Sequence, residues 1–507
     1  MPIRQWLVGS KSRFAFECTA IILFMLAIWF RAFWPVPMGL PDNGDFAKVL
    51  GRINAWPVRG QEGQQFDYLV TDYVLDPDRH WNSHLPTLEL PLARLAKVIA
   101  RLTLPQGRFD LRILGGIHAL ILVMAVWLLL RTLRHYSWIW SSVLATATIL
   151  VFADVEYLEF LNCAFMDASA IMLLVLLFSL GFTITKTLPA PRWGLVAAFN
   201  LCAVLFLSTK LQHQFSAIPL TLFCFYFGWQ AASRKARLTW FSGAILVIGT
   251  SIWMIRHRLP DYQADSGFSL VFLKLLPLSK SPQQSLRELG RPESDIRYMG
   301  MHTWSLGSPM SDNQYRDRFW HDVATSKVMR FYWRHPDILC KILWHDLLKS
   351  GSDIPVSEVP IGLERKTVRA YGAFRKSDNP QPNTRPHMLN FWSDFRRFLA
   401  LKIPILIPAL YVICIVVGLY KICWRPTPVT LKRWPLLLLM GAIGILSYLA
   451  GSLGDATDTS RHIVTYQVAI DLMILFLLYK IPRQTAPQKH SEAGPSIQER
   501  KISTCRA

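Results

Sequence analysis

Apolar residues recur along this chain in long uninterrupted stretches separated by polar connections. A stretch of about 20 apolar residues can cross the roughly 30 Å hydrocarbon core of a bilayer as an α-helix. Ten stretches meet this pattern, at roughly 14–35, 113–131, 137–153, 160–184, 193–209, 213–232, 239–256, 400–421, 434–452 and 462–480. The pattern predicts an all-α polytopic membrane protein with about ten transmembrane helices.

Four of the connections between predicted spans carry only basic charges. If the N-terminal residues 1–13 are cytoplasmic, all four connections face the cytoplasm, as the positive-inside rule expects. Their basic residues are Arg131, Arg134, Lys186, Arg192, Arg234, Lys235, Arg237, Lys421, Arg425, Lys432 and Arg433. The formal net charge of +21 would favour nucleic acid in a soluble protein, but topology explains much of it. No nucleic-acid partner is therefore predicted.

Two long segments fall on the opposite, extracytoplasmic side. They are residues 36–112, before spans two to seven (113–256), and residues 257–399, before spans eight to ten (400–480). Both are too long to be simple connectors, and apolar positions within 328–349 recur at helical spacing. We expect two sizeable, mainly helical outer segments. The remaining residues 481–507, rich in Pro, Gln, Ser and charge, are predicted to form a disordered cytoplasmic tail.

The acidic run Asp42-Asn43-Gly44-Asp45-Phe46 follows the first span directly. Asn-Gly favours a tight turn, which would let both carboxylates point into one site beside the membrane. The alternative is that Asp45 only caps a following helix over 46–54. Both interpretations can hold for different aspartates.

Asp167 is predicted to lie inside the fourth span. At helical spacing it would share a face with Cys163 and Glu159, and Asn162 would add a neutral hydrogen-bonding group at the same mouth. An intramembrane carboxylate is costly unless it is paired or faces a wet cavity, so a functional role is the default hypothesis. A structural hydrogen bond to a neighbouring helix is the alternative.

Lys210, Gln212 and His213 fill a short outer connection between the fifth and sixth spans. A positive charge on this side runs against the topology bias, which favours an anionic ligand. The alternative for Lys210 is a snorkelling lysine that anchors the helix end.

Arg461 and His462 open the last predicted span. Unsatisfied amides at a helix N-terminus and a guanidinium together suit a phosphate group. Alternatively, Arg461 pairs locally with Asp458. His84, in the first outer segment, is a further candidate, although a lone histidine is more often a surface or packing residue.

Cofactor motifs do not stand out. Most of the eight cysteines lie in predicted spans or cytoplasmic segments, so they give no disulfide or metal framework. No Gly-rich nucleotide loop and no zinc-ligand spacing is recognisable. No metal site is predicted, and any other cofactor stays unknown.

In its arrangement the chain resembles the GT-C superfamily of polytopic glycosyltransferases that use lipid-linked sugars. The acidic run matches that superfamily's motif in the first outer loop. A bacterial subset of hexosyltransferases is similar through an Asp-Asn-Gly-Asp-Phe-like run, an Asn-Ser-Phe-x-x-Glu-like run at 162–167, a His335-Pro336 pair and a late Arg-His at 461–462. The middle run departs from the pattern, with Cys163 for Ser, Ala164 for Phe and Asp167 for Glu.

The resemblance implies a hexosyltransferase of cell-envelope polysaccharide synthesis in the bacterial inner membrane. Because nucleotide sugars cannot cross the membrane, an outward-facing site needs a polyprenyl-phosphate sugar as donor, and the acceptor would be a glycan or lipid. Asp42, or secondarily Asp45, would be the general base of an inverting displacement. Arg461, His462 and Lys210 would hold the leaving phosphate.

Two other functions fit the same residues. A flippase or transporter of a lipid-linked sugar would line its pathway with these charges, although large outer segments argue mildly against transport. Another glycan-assembly enzyme, a polymerase or ligase, would also face outward and bind a prenyl-linked anion. The sequence does not predict the sugar or the oligomeric state.

Overall fold

The computed structural model describes residues 2–35, 37–59, 65, 69–79, 81, 85–187, 191–257, 260–323, 325–349, 390–454, 456 and 459–480. Within these ranges the chain forms twenty α-helices and one small sheet, so the predicted all-α membrane class is confirmed. The expected tail at 481–507 lies outside the described residues.

The first half of the chain contributes nine helices. These are α1 (Pro2–Ile28, continued by the π-helical turn Trp29–Phe33), α2 (Glu89–Thr103), α3 (Leu111–Arg131), α4 (Trp138–Phe152), α5 (Val155–Leu158), α6 (Met166–Thr187), α7 (Trp193–Leu207), α8 (Ala217–Gln230) and α9 (Arg234–Arg256).

Eleven further helices follow in the second half. These are α10 (Pro260–Ser269), α11 (Leu276–Leu278), α12 (Pro282–Glu288), α13 (Asn313–Asp322), α14 (Thr325–Arg334), α15 (Pro336–Lys349), α16 (Phe391–Lys402), α17 (Leu406–Cys423), α18 (Pro428–Gly454), α19 (Thr459–His462) and α20 (Val464–Leu478).

Six of the described helices are long and apolar enough to cross a membrane: Ser12–Phe33, Leu111–His135, Met166–Thr187, Arg234–Arg256, Leu406–Cys423 and Pro428–Gly454. Each of the ten predicted spans overlaps an apolar helix, but α4, α7, α8 and α20 have only 14 or 15 residues. At 1.5 Å per residue such a helix is about 22 Å long, shorter than the hydrocarbon core. The multi-pass architecture is therefore established, whereas the count of ten spans stays a prediction.

The helix α6 lies at the centre of the bundle, with 94% of its most apolar window buried. It packs against α3, α7, α18 and α20. Its C-terminal end gathers basic residues: Lys186 donates to the carbonyl of Thr132, and nearby Arg134 pairs with Glu17 of α1. The N-terminal end of α6, which carries Asp167, lies at the opposite end of the bundle.

The first outer segment contains strands that the sequence did not predict. β1 (Ala55–Pro57), β2 (Asp72–Leu75) and β3 (Arg108–Asp110) form an antiparallel sheet in the order β1-β2-β3. Tyr73 pairs with Phe109 across the second ladder, and both side chains are buried. Because β3 runs directly into α3, where the Asp110 carboxylate accepts the N–H of Arg112, the sheet is fixed to the start of a span.

The second outer segment has an apolar core of its own. Buried residues of α10 to α15, including Phe268, Phe319 and Ile342, form this core, and Leu453 of α18 packs against it. The predicted helical run over 328–349 is divided at Pro336, which begins α15, because proline suits the first position of a helix but not its interior.

A buried lysine joins this core to the bundle. The Nζ atom of Lys274 donates to Asp346 of α15 at 3.0 Å, to the carbonyl of Ser452 in α18 at 3.0 Å, and to Thr459 of α19 at 3.2 Å. Lys274 is fully buried. These three bonds hold α15 and the end of α18 against the short helix α19.

We expect Lys274→Met to destabilise the protein, because it leaves the buried Asp346 carboxylate without its ammonium partner. Removing one partner of a buried ion pair costs roughly 3–5 kcal/mol. Thermal unfolding of the purified protein in detergent measures the effect. Lys341→Met, at an exposed position of the same helix α15, is the matched control and should leave the melting temperature unchanged. Equal melting temperatures for both variants would contradict the assigned link.

Candidate functional site

The acidic run forms a tight turn that Asp42 organises. The Asp42 Oδ1 atom accepts the backbone N–H groups of Gly44 at 2.7 Å and Phe46 at 3.0 Å. Gly44 has a φ of +99°, a conformation that favours glycine. Two 3₁₀ turns, Phe46–Lys48 and Gly51–Ile53, follow in place of an α-helix. The predicted helix over 46–54 with Asp45 as its cap is therefore wrong: Asp42 is the residue that caps the turn.

Asp45 is held between two cations. Its Oδ1 atom lies 2.6 Å from Lys48 Nζ, and its Oδ2 atom lies 2.6 Å from a terminal nitrogen of Arg461. The carboxylate stays partly exposed. Arg461 lies 416 positions further along the chain, so this pair joins the first outer segment to the beginning of the last helix pair.

Arg461 is the central residue of the site. Besides Asp45, its guanidinium contacts the Asp167 carboxylate at 3.4 Å. It also lies over the ring of Phe165, 4.1 Å from the ring centre, and Phe165 in turn packs edge-on against Phe46. The side chain is 8% exposed. Arg461 pairs across the fold with Asp45 and Asp167, and Asp458, its predicted local partner, lies outside the described residues.

Asp167 and Lys210 form a buried ion pair. Lys210 Nζ lies 2.9 and 3.2 Å from the two carboxylate oxygens of Asp167. The Lys210 side chain is 7% exposed and the Asp167 side chain is 1% exposed. The interpretation of Lys210 as a snorkelling lysine is therefore wrong. The Lys48–Asp45–Arg461–Asp167–Lys210 series alternates in sign, and we call it the charge chain.

The expected helix face shared by Asp167, Cys163 and Glu159 does not exist. The helix α5 ends at Leu158 and α6 begins only at Met166, so the residues between them are not helical. Asp167 lies in the first turn of α6, where a carboxylate interacts favourably with the helix dipole.

Asn162 supports the chain that leads from the first span to the acidic turn. Its amide group donates to the carbonyls of Ala32 at 2.5 Å and Met38 at 2.7 Å, and its side chain is fully buried. Gly39 and Gly115 pack so closely on Asn162 that a Cβ atom at either position would collide with it. Asn162 therefore fixes the path from the first span to Asp42, and its role in binding substrate stays a prediction.

The other residues of the short outer connection and of the Arg-His pair surround the charge chain. The Gln212 amide donates to the His462 carbonyl at 3.0 Å. His213 is fully buried against Phe206, with 4.8 Å between the ring centres. His462 lies beside Arg461 at 6% exposure. His84 lies outside the described residues.

The two aspartates of the turn differ in their electrostatics. Burial raises the pKa of Asp42 to about 6, although the N–H groups of Phe46 and Gly44 stabilise its carboxylate. Burial also acts on Asp45, but Lys48 and Arg461 outweigh it and hold the pKa of that carboxyl well below its usual range. Asp42 can therefore take up a proton near neutral pH, whereas Asp45 stays ionised.

Several residues around the site escaped the sequence analysis. Lys48 is a contact of Asp45, and its i+3 spacing could have indicated the pair. Glu89 and His118 form a fully buried pair at 2.8 Å, which no spacing predicts because 29 positions separate them. In the part of the chain that the structure describes, no group of three His, Cys, Asp or Glu side chains could hold a metal ion.

The model of one protein family matches the chain across the whole site. That family is described as the YfdI N-terminal transmembrane domain, and the match covers residues 7–499. The chain belongs to this family. No curated protein and no solved structure matches it. The YfdI match includes the acidic turn, the charge chain and both outer segments.

In this YfdI-family chain the arrangement offers two chemical capabilities side by side. Asp42 is a partly exposed carboxylate that can exchange a proton near neutral pH. Lys48 and Arg461, which both contact Asp45 of the same turn, are cationic donors that can bind an anionic oxygen.

We expect Asn162→Ala to lower the thermal stability of the protein without any substrate present. The variant removes two buried hydrogen bonds to the backbone carbonyls of Ala32 and Met38, and a lost buried hydrogen bond costs about 1–3 kcal/mol. Thermal unfolding in detergent tests this, with Asn313→Ala at an exposed position as control. An unchanged melting temperature in Asn162→Ala would contradict the supporting role of Asn162.

Proposed function

We propose that this protein is a membrane glycosyltransferase of the GT-C type. It transfers a sugar from a polyprenyl-phosphate donor to a glycan or lipid acceptor on the extracytoplasmic face of the bacterial inner membrane. The basic connections at the opposite end of the bundle support this orientation. The proposal rests on the chemistry of the acidic turn and the charge chain, and not on family membership alone.

The difference between Asp42 and Asp45 carries the proposal. Two carboxyl groups three positions apart have environments that push their pKa values in opposite directions. Such a separation commonly identifies acid–base roles in an active site. A pKa of about 6 suits a general base that works near neutral pH, so Asp42 is the base and Asp45 is not.

Asp45 serves to orient cations. Its two oxygens hold Lys48 and Arg461 at 2.6 Å each, so both positive groups lie beside the turn that carries Asp42. Lys210 is bound to Asp167 in the interior and is less suited to meet a ligand directly. Arg461 and Lys48 are therefore the groups that would bind the donor phosphate, and Lys210 would support Arg461 through Asp167.

The reaction is a single displacement. The acceptor hydroxyl oxygen forms a bond to the anomeric carbon while the bond from that carbon to the phosphate oxygen breaks. The hydroxyl proton passes to the Asp42 carboxylate, and the negative charge of the departing polyprenyl phosphate develops near Arg461 and Lys48. One displacement inverts the anomeric configuration, so a product of retained configuration would contradict the mechanism.

We expect Asp42→Asn to lower the rate of sugar transfer by roughly 10²–10⁴-fold, the usual contribution of a general base. Transfer from radiolabelled hexosyl polyprenyl phosphate in membranes containing the protein measures the rate. Asp72→Asn, an exposed carboxylate of β2 in the same outer segment, is the matched control and should keep full activity. Full activity in Asp42→Asn would remove the catalytic assignment, and no transfer by the unaltered protein from any prenyl donor would favour transport.

The pH dependence provides a second test. Asp42 must be ionised to accept a proton, and its raised pKa means that it becomes protonated as the pH falls through about 6. We expect kcat/KM to be constant above this value and to fall about tenfold per pH unit below it. If kcat/KM instead began to fall only at about pH 3.9, the ordinary pKa of aspartate, the assignment of Asp42 as the base would be contradicted.

A further inference from the structure

The helix α16 buries its polar face and exposes its aromatic face, the opposite of a surface helix in a water-soluble protein. Ser393 and Arg396 are buried against the rest of the chain. The aromatic side chains of Phe391, Phe395 and Phe398, on the opposite face, are 65%, 44% and 56% exposed. A helix surrounded by water would bury the aromatic face instead. The environment outside α16 must therefore be apolar.

The polar face is fixed in place by charge. Arg396 lies 3.1 Å from Glu156 and 3.0 Å from Asp471 of α20, and the Ser393 N–H donates to Asp154 at 2.9 Å. Turning the aromatic face inward would break these contacts and leave buried charges without partners, which is strongly unfavourable. The orientation of α16 is thus determined by its buried side.

Both ends of α16 lie at the ends of candidate spans. At its N-terminus, Asn390 accepts a hydrogen bond from Arg31, which lies in the last turn of the first span. At its C-terminus, Lys402 precedes the span Leu406–Cys423 by a few residues. A helix of 12 residues is about 18 Å long, so α16 runs from one span to another along the same boundary of the membrane.

The neighbouring surface continues the apolar face. Trp29, Phe30 and Trp34, around Arg31, are each more than half exposed. Exposed tryptophans at the end of a span are typical of the membrane interface. Arg397 and Lys402 of α16 are also exposed, and long basic side chains can reach lipid head groups from a shallow position.

We propose that α16 is an interfacial helix whose docking partner is the lipid of the outer leaflet. Phe391, Phe395 and Phe398 lie among the upper acyl chains, while Ser393 and Arg396 face the protein. Amphipathic helices in this position are buried about 5–10 Å into the boundary between head groups and chains. The proposal rests on the faces and ends of α16 and uses no step of the proposed reaction.

Site-directed spin labelling tests the proposal. Phe395→Cys and Phe398→Cys are made in a full-length protein in which Cys18, Cys340, Cys423 and Cys505 are replaced by serine, while the buried cysteines are retained. Each variant is labelled with a nitroxide and reconstituted into phosphatidylcholine vesicles. Power saturation then compares the accessibility of the label to oxygen, which partitions into lipid, and to a water-soluble nickel chelate.

We expect both labels to be accessible to oxygen and protected from nickel. A label at Asp317→Cys, an exposed position of α13 in the outer segment, is the control and should be accessible to nickel. The oxygen-to-nickel ratio at 395 and 398 should exceed the control ratio several-fold. Nickel accessibility at these positions would place α16 in water, and protection from both reagents would indicate that a second copy of the chain covers it; either result overturns the proposal.

Discussion

The site depends on the burial of the Arg461 guanidinium. A cation held away from water at the end of a membrane bundle is unfavourable unless carboxylates and an aromatic face compensate for the lost hydration. Asp45, Asp167 and Phe165 supply that compensation from separate parts of the chain. The first outer segment, the start of α6 and the short helix α19 are therefore held in one arrangement.

Buried charges are paired with opposite charges at several other contacts between segments of the chain. Three buried ion pairs join segments that are far apart in sequence: Lys274 with Asp346, Arg396 with Asp471, and Lys210 with Asp167. In a bilayer, apolar surface gives little specificity to helix association, because lipid chains are as apolar as the side chains. Buried pairs of opposite charge specify which segments meet, and many large apolar side chains of the protein remain exposed on its surface.

The sequence predicted the features that depend on composition, such as the apolar helices. It did not predict the features that depend on local backbone geometry, such as helix breaks and contacts with backbone groups. Long apolar stretches identified the helices, and the predicted topology placed Asp45, Asp167, Lys210 and Arg461 toward the same side of the membrane. The break before Met166 was missed because five of the seven residues 159–165 are apolar and none of them is glycine or proline. The capping contacts of Asp42 and the supporting contacts of Asn162 were missed because both are made to backbone groups, which a sequence pattern does not display.

Asp45 holds the same two cations that an anionic ligand at this site would bind. The pKa of Asp45 stays low only while Lys48 and Arg461 remain its neighbours. An anion that draws either cation away weakens the preference of Asp45 for its charged form. An anion bound at this end of the bundle would therefore compete with Asp45 for Lys48 and Arg461, and protonation of Asp45 at a pH below its low pKa would release both cations to the anion.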